Sequence, residues 1–116
     1  RLYEAWNELQ TYLQINKDTN CILLDNYVIS KSEGMMRPYE DILWAYRYVM
    51  RRNFVVVNQY ALCRLVDGGK IQLTPAGFLK KEAIEEILDT IAMKNPSVML
   101  GYSADNQRAY KEMTRR

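Results

Sequence analysis

Apolar residues recur at intervals of three and four toward both ends of the chain, and this spacing predicts amphipathic helices there. An N-terminal helix is expected over residues 1–16. A more regular stripe predicts a helix over residues 79–94, and it consists of Ile84, Ile87, Leu88, Ile91 and Ala92. Asn95 in a left-handed conformation and Pro96 are expected to end this helix. A short terminal helix is expected over residues 103–114, because the first of these is a serine that suits an N-cap.

The chain between the first two helices, residues 20–73, is rich in the β-branched and aromatic residues that favour strands. Asp25-Asn26 and Asp67-Gly68-Gly69-Lys70 interrupt the apolar runs, and both sequences are typical of tight hairpin turns. Because turns this short join antiparallel neighbours, we expect the strands to be mostly antiparallel.

The most apolar strand is expected at residues 41–50. Side chains alternate between the two faces of a strand. One face would then carry Ile42, Trp44, Tyr46, Tyr48 and Met50, and the other Leu43, Ala45, Arg47 and Val49. Both faces are largely apolar, so the strand should be covered on both sides. Its aromatic side chains are expected to pack in the core and not to stack on nucleic-acid bases.

These elements define an α+β fold in one domain, residues 1–116. We expect an antiparallel, partly open β-barrel or bent sheet of six to seven strands. The C-terminal amphipathic helix at residues 79–94 would cap this sheet, and the N-terminal helix would be an additional element. A composition with 48% hydrophobic and 26% charged residues supports an ordinary globular core.

Composition narrows the chemistry, because histidine is absent from the sequence. This removes the most common general base, every histidine-containing catalytic triad and most zinc sites. The 16 basic and 14 acidic residues nearly balance, at a net charge of +2, so the strong positive field of a nucleic-acid-binding domain is missing. We therefore predict no enzyme, no catalytic residue, no metal site, no cofactor and no nucleic-acid partner.

Two cysteines, Cys21 and Cys63, lie in separate apolar, strand-like runs. They are expected to be buried free thiols of a reducing compartment. A disulfide between neighbouring strands is the alternative that the sequence leaves open.

Several segments of the chain resemble the bacterial pleckstrin-homology-like (PH-like) domain family. They are the DNYVIS hairpin, the MRPYEDI stretch of residues 36–42, the DGGK turn and the KEAIEEIL helix, within about residues 20–94. The resemblance implies a partly open, seven-stranded barrel or bent sandwich capped by one helix. It also implies binding or scaffolding instead of catalysis, often beside membrane segments of bacterial proteins. Relatives that bind phosphoinositides use a basic first hairpin loop, whereas this loop is Asp25-Asn26, so the resemblance does not extend to lipid-phosphate binding there.

The candidate binding site is an anion patch near one rim of the sheet. It would be formed by Lys31, Arg37, Arg47, Arg51 and Arg52. Arginine side chains suit phosphate and carboxylate groups because their donors match a pair of oxygen acceptors. The alternative is a solvated turn whose charges keep a sheet edge soluble.

The predicted function is a non-enzymatic PH-like binding or scaffolding module with a protein or membrane-proximal partner, bound at the sheet edge beside the helix. The alternative is a small-ligand-sensing or enzymatic α+β domain with a pocket beneath the capping helix, lined by groups such as Tyr46, Arg47, Tyr60 or Arg64. A homodimer through the N-terminal helix or a sheet edge is also left open. No apolar run approaches the roughly 20 residues that span a bilayer. We expect a cytoplasmic domain, at the cytosolic face of the membrane if an anchor precedes Arg1.

Overall fold

The computed structural model describes residues 21–75 and 80–115, which form an α+β fold with two sheets. The N-terminal helix expected at residues 1–16 lies outside the described residues. The first strands are β1 (Cys21–Leu23), β2 (Tyr27–Ser30) and β3 (Met35–Pro38). A 3-10 turn, Tyr39–Asp41, leads into two long strands, β4 (Ile42–Arg52) and β5 (Val55–Leu65). The remaining elements are β6 (Lys70–Leu73), helix α1 (Lys80–Lys94), β7 (Met99–Leu100) and helix α2 (Ala104–Thr114).

The strands are divided between two sheets. The first has the order β1-β2-β3 with antiparallel neighbours, and the second has the order β6-β5-β4-β7. In the second sheet β7 runs parallel to β4, whereas the other neighbours are antiparallel. The chain reaches β7 through α1, and a helix supplies the length that a parallel connection needs. The mostly antiparallel α+β fold is confirmed, but the strands that the structure describes form two separate sheets and no closed barrel.

One apolar core fills the space between the two sheets and α1. Three isoleucines of α1 enter it, Ile84, Ile87 and Ile91, and none is more than 5% exposed. They pack on side chains from the inner faces of both sheets, which are Val28, Ala45, Ala61, Cys63, Leu65, Ile71 and Leu73. The stripe that the sequence predicts for this helix therefore faces the core. The reverse face of the first sheet is buried too, at Ile22, Leu24, Tyr27 and Ile29.

A β-bulge near the start of β4 changes the faces that strict alternation predicts. The register with β5 shifts between Ile42 and Trp44. Leu43 and Trp44 consequently both pack on the outer face, whereas Ile42 and Ala45 both belong to the inner core. The prediction that Ile42 and Trp44 share a face is wrong, because a bulge sets two residues against one of the partner strand.

Asn95 joins the end of α1 to the start of β4. Its side-chain amide donates to the carbonyls of Tyr39 and Ile42 at 3.0 and 2.9 Å. Its Oδ1 accepts the backbone N–H of Ser97 at 3.3 Å. Asn95 is not among the described residues with positive φ, so the predicted left-handed cap is wrong. The asparagine acts through its side chain instead, and it fixes the position of α1 over the sheet.

The β4–β5 hairpin turns through two residues in the left-handed region, Asn53 with φ of 52° and Phe54 with φ of 67°. A two-residue turn of this kind is a type I′ turn, which favours Asn-Gly. Asparagine suits the first position, but phenylalanine in the second is strained because its Cβ crowds the backbone. Phe54 is also 98% exposed, so packing offsets little of this strain.

Replacing Phe54 by glycine should therefore stabilise the domain. We expect Phe54→Gly to raise the free energy of unfolding by about 1 kcal/mol, measured by urea denaturation. Phe54→Ala, which keeps a Cβ in the left-handed region, should give a smaller change. A glycine variant less stable than the parent would contradict this account of the turn.

Candidate functional site

The outer face of the second sheet carries a cluster of aromatic side chains centred on Trp44. Trp44 is 2% exposed, and its ring centroid lies 4.6 Å from that of Tyr46 and 5.8 Å from those of Tyr102 and Tyr110. Its indole N–H donates to the carbonyl of Gly101 at 2.8 Å. Gly101 has a φ of +92°, so it permits the turn that leads from β7 toward α2. The tryptophan thus ties the sheet to that turn.

Helix α2 lies over the same face. Ser103 is its N-cap, as predicted, and the hydroxyl of Ser103 accepts the backbone N–H of Asn106 at 3.1 Å. Tyr110 is buried, and its hydroxyl donates to the carbonyl of Leu65 at 2.7 Å. This contact holds the helix against β5.

A groove of about 400 Å³ remains between α2 and the sheet. Its lining consists of Trp44, Tyr46, Tyr48, Arg64, Gly68, Tyr102, Gln107, Tyr110, Lys111 and Thr114. Two of these side chains, Arg64 and Lys111, are cationic and none is acidic. The guanidinium carbon of Arg64 lies 5.2 Å from the ring centre of Tyr110, and the buried Nε of Arg64 has no hydrogen-bond partner among residues 21–75 and 80–115. The groove therefore offers aromatic faces and positive charge.

Beside this groove, one edge of β4 is only partly paired by the strands of the described residues. β7 pairs with β4 only as far as Ala45, whose carbonyl accepts the N–H of Gly101 at 3.0 Å. Backbone groups of alternate residues point to the same side of an antiparallel strand. The N–H and C=O groups of Arg47 and Val49 therefore also point away from β5, and no strand in the described part of the chain pairs with them.

The structure does not bring the predicted anion patch together. Arg37 is held by two acids, since its Nε lies 3.7 Å from Asp41 and its guanidinium pairs with Asp67. The backbone N–H of Gly69, aided by Arg37, lowers the pKa of Asp67. Arg37 thus connects β3 to the β5–β6 turn.

The other four predicted basic residues lie elsewhere. Lys31 is exposed in the turn between β2 and β3. Arg47, Arg51 and Arg52 lie on the exposed part of the β4–β5 hairpin, where Arg47 donates to the side chain of Gln59 at 3.0 Å. Since a strand rises about 3.3 Å per residue, Arg51 lies roughly 30 Å along β4 from Ile42, the residue after the Asp41 that pairs with Arg37. Three of the five residues therefore share one hairpin.

The side chains predicted to line a pocket beneath the capping helix are also placed differently. Tyr46, Tyr60 and Arg64 lie on the outer face, opposite α1, and Arg47 is exposed. Tyr60 is buried against the ring of Tyr48, with centroids 5.3 Å apart, and burial raises its pKa. The space beneath α1 is filled by apolar side chains. Core packing holds for Trp44 and Tyr46, while Tyr48 is left partly exposed.

Sequence reasoning missed the part of the groove that follows β7. No sequence motif marks Tyr102, Gln107 or Lys111 as site residues, although Gln107, Tyr110, Lys111 and Thr114 recur at three- and four-residue intervals. That spacing marks one side of a helix. The spacing does not show which face of the sheet the helix covers. It therefore predicts a stripe on the helix but not the groove that this stripe lines.

Both cysteines are buried free thiols. Burial raises the pKa of Cys21 to about 11, and burial together with the nearby Cys21 raises the pKa of Cys63. Neither thiol is suited to act as a nucleophile, because the thiolate is the reactive form.

Comparison with protein-family models, with curated proteins and with solved structures finds no match. No helix in the described ranges is long and apolar enough to cross a membrane. In residues 21–75 and 80–115 no group of three or more cysteine, aspartate and glutamate side chains is placed to hold a metal ion.

The Tyr110 hydroxyl should contribute measurably to stability. We expect Tyr110→Phe to lower the free energy of unfolding by about 1–2 kcal/mol, because the buried carbonyl of Leu65 loses its donor. Tyr102→Phe is the matched control, since this ring is 65% exposed, and it should change stability by less than about 0.5 kcal/mol. Equal effects of the two substitutions in urea denaturation would refute the assigned role.

The thiols should be protected in the folded protein. At pH 8 we expect the aromatic disulfide reagent DTNB to react slowly with the native chain and rapidly after urea unfolding, as followed by absorbance. Folding raises the pKa of both thiols. The buried thiols therefore contribute to the free energy of unfolding below their ordinary pKa of 9.0, and this contribution declines as the pH rises above that value. Rapid reaction of either thiol in the native protein would contradict this burial.

Proposed function

We propose that this domain is a non-enzymatic, PH-like binding module that takes an extended, acidic segment of a partner protein along the free edge of β4. The observation that carries the proposal is the position of this edge, directly beside the aromatic and cationic groove. The proposal keeps the binding role implied by the PH-like resemblance and assigns it to a different surface from the first hairpin loop.

The backbone supplies the first part of the recognition. β7 occupies the edge of β4 up to Ala45 and then leaves at Gly101, so an incoming strand could continue from that point. It would pair with the outward-facing groups of Arg47 and Val49. The opposite edge of the sheet is less open, because the N–H of Gln72 in β6 already donates to the carboxylate of Glu33 at 2.6 Å.

Side chains supply the second part. Alternate residues of a strand added to β4 would lie on the outer face, over Tyr46 and Tyr48 and toward Tyr102. Arg64 and Lys111 line the same groove and favour a carboxylate there. An extended segment that alternates acidic and apolar residues matches both features.

A small ligand is the second candidate for the same groove. Its volume of about 400 Å³ falls in the range of small-molecule sites, and its lining combines aromatic rings with hydrogen-bonding side chains such as Gln107 and Thr114. Such a ligand would contact the aromatic rings without pairing with the edge of β4, which separates the two candidates experimentally.

Peptide selection followed by NMR tests the proposal. We would select binders from a displayed random dodecapeptide library against the full chain and titrate one synthetic binder into ¹⁵N-labelled protein. The selected peptides should carry acidic residues and shift the amides of Arg47 and Val49 together with the Trp44 indole. Tyr102→Ala and Lys111→Glu should each weaken binding by about fivefold or more, as expected for loss of one aromatic or charge contact.

The control is Met93→Ala, an exposed apolar residue on α1 that lies on the other side of the sheet, and it should bind like the parent. Peptides that shift only amides remote from β4, or that bind Tyr102→Ala as tightly as the parent, would refute a binding site at this edge. Shifts of the aromatic rings without shifts at Arg47 and Val49 would favour the small-ligand candidate.

A further inference from the structure

The outer half of the β4–β5 hairpin projects from the domain with an apolar tip. Phe54 is 98% exposed and Val55 is 63% exposed, and Val56 and Val57 are exposed as well. Beyond Tyr46 the described residues of the hairpin are mostly exposed on both strands. From Arg47 to the turn the ribbon is about 17 Å long, at roughly 3.3 Å per residue. A bulky aromatic residue at the end of such a narrow, solvent-exposed ribbon has no role in the core.

Positive charge flanks this tip. Residues 42–66 contain four arginines and no acidic residue, and three of the arginines, Arg47, Arg51 and Arg52, lie on the exposed part. Neither Arg51 nor Arg52 has an ion-pair partner in the described chain. Because Arg51 and Arg52 are adjacent in a strand, their side chains point to opposite faces of the ribbon. The apolar end is therefore bordered by a cation on each side.

From this arrangement we propose that the hairpin tip inserts into the interface of an anionic phospholipid bilayer. Phe54 and Val55 would enter the boundary between headgroups and acyl chains. Arg51 and Arg52, two to three residues behind, would lie within about 10 Å of the tip, at the level of the lipid phosphates. Arg47, farther back on the ribbon, would add long-range attraction to the negative surface.

The shape and charge of the tip favour lipid over another copy of this chain. Two hairpins packed tip to tip would bring together six arginines, three from each, without any acidic residue of the hairpin to balance them. A two-residue turn is also convex and narrow, whereas a stable protein interface needs about 800 Å² from each partner. A bilayer accepts an isolated apolar tip and supplies the complementary negative charge.

Co-sedimentation of the full chain with vesicles tests the proposal. Vesicles of phosphatidylcholine with about one third phosphatidylserine should bind the protein at physiological ionic strength, and phosphatidylcholine alone should bind it weakly. Phe54→Gly should weaken binding at least about tenfold, because a large apolar side chain no longer enters the membrane. Arg51→Ala and Arg52→Ala should each weaken it about fivefold, and Arg51→Lys should not.

The controls separate this site from loss of folding and from the groove. Phe54→Gly preserves a favourable turn, so its loss of binding cannot be assigned to unfolding. Met93→Ala and Lys81→Ala remove an exposed apolar and an exposed basic residue from α1 and should bind vesicles like the parent. Tyr102→Ala should also bind like the parent, so failure of the groove proposal leaves this one intact.

Three results would overturn membrane insertion. The first is an absence of sedimentation with anionic vesicles, and the second is full binding by Phe54→Gly. The third is evidence that the tip binds protein instead of lipid. Such evidence would be a dimer in analytical ultracentrifugation that Phe54→Gly abolishes. It would equally be poly-glutamate binding that depends on Phe54 while vesicles do not bind.

Discussion

The β4–β5 ladder is buried on both faces at its base, so other elements must cover each face. This need for two covering layers determines where the first sheet, α1 and α2 lie. The inner face packs on the first sheet and on the isoleucines of α1, whereas the outer face packs beneath α2 through Trp44 and Tyr110. The bulge at Ile42 and Trp44 reconciles the two, since it lets the strand send Ile42 inward and two consecutive residues outward. Asn95 and Gly101 then act as fixed points, one for each covering helix, because each connects its helix to β4 by hydrogen bonds.

The same hairpin changes character along its length. Its base belongs to the core, and its middle, next to the aromatic and cationic groove, has an edge that no strand of the described residues pairs with. Its end is an exposed, strained apolar turn that follows Arg51 and Arg52. The buried base joins the other two parts of the hairpin to the core. A binding site on a strand is positioned more precisely than one on a loop, because the ladder to β5 restrains it residue by residue. The strained backbone at Phe54 lowers stability, so stability does not explain a phenylalanine at this position.

The arginines show which features of the candidate site the sequence predicts and which it does not. Arg51 and Arg52 are predicted to lie in an exposed turn, and they are exposed, but they are the last two residues of β4 and the turn follows at Asn53-Phe54. Arg37 looked equivalent in the sequence, yet it is neutralised by Asp41 and Asp67, and Asp67 is 30 residues away in the chain. Arg64, embedded in an apolar run, is a predicted lining residue of a pocket beneath α1, but it lies in a groove on the opposite face of the sheet. The sequence shows which residues are charged. Tertiary contacts decide which of them are paired with an opposite charge and which remain exposed.

The sequence by itself determined the strand-rich character of residues 21–73, the turns at Asp25-Asn26 and Asp67-Gly68, the two described helices and the burial of the cysteines. Each of these depends on neighbours within a few residues, such as Asp67 before two glycines, Ser103 before α2, or the apolar stripe from Ile84 to Ile91. Tertiary structure alone decided that the strands divide into two sheets, that β7 lies parallel to β4, and that α2 covers Trp44. The last two outcomes depend on contacts between residues more than 35 positions apart, such as Trp44 with Gly101 and Tyr110 with Leu65. A local pattern of hydrophobicity identifies an apolar face, but it does not identify the distant part of the chain that covers this face.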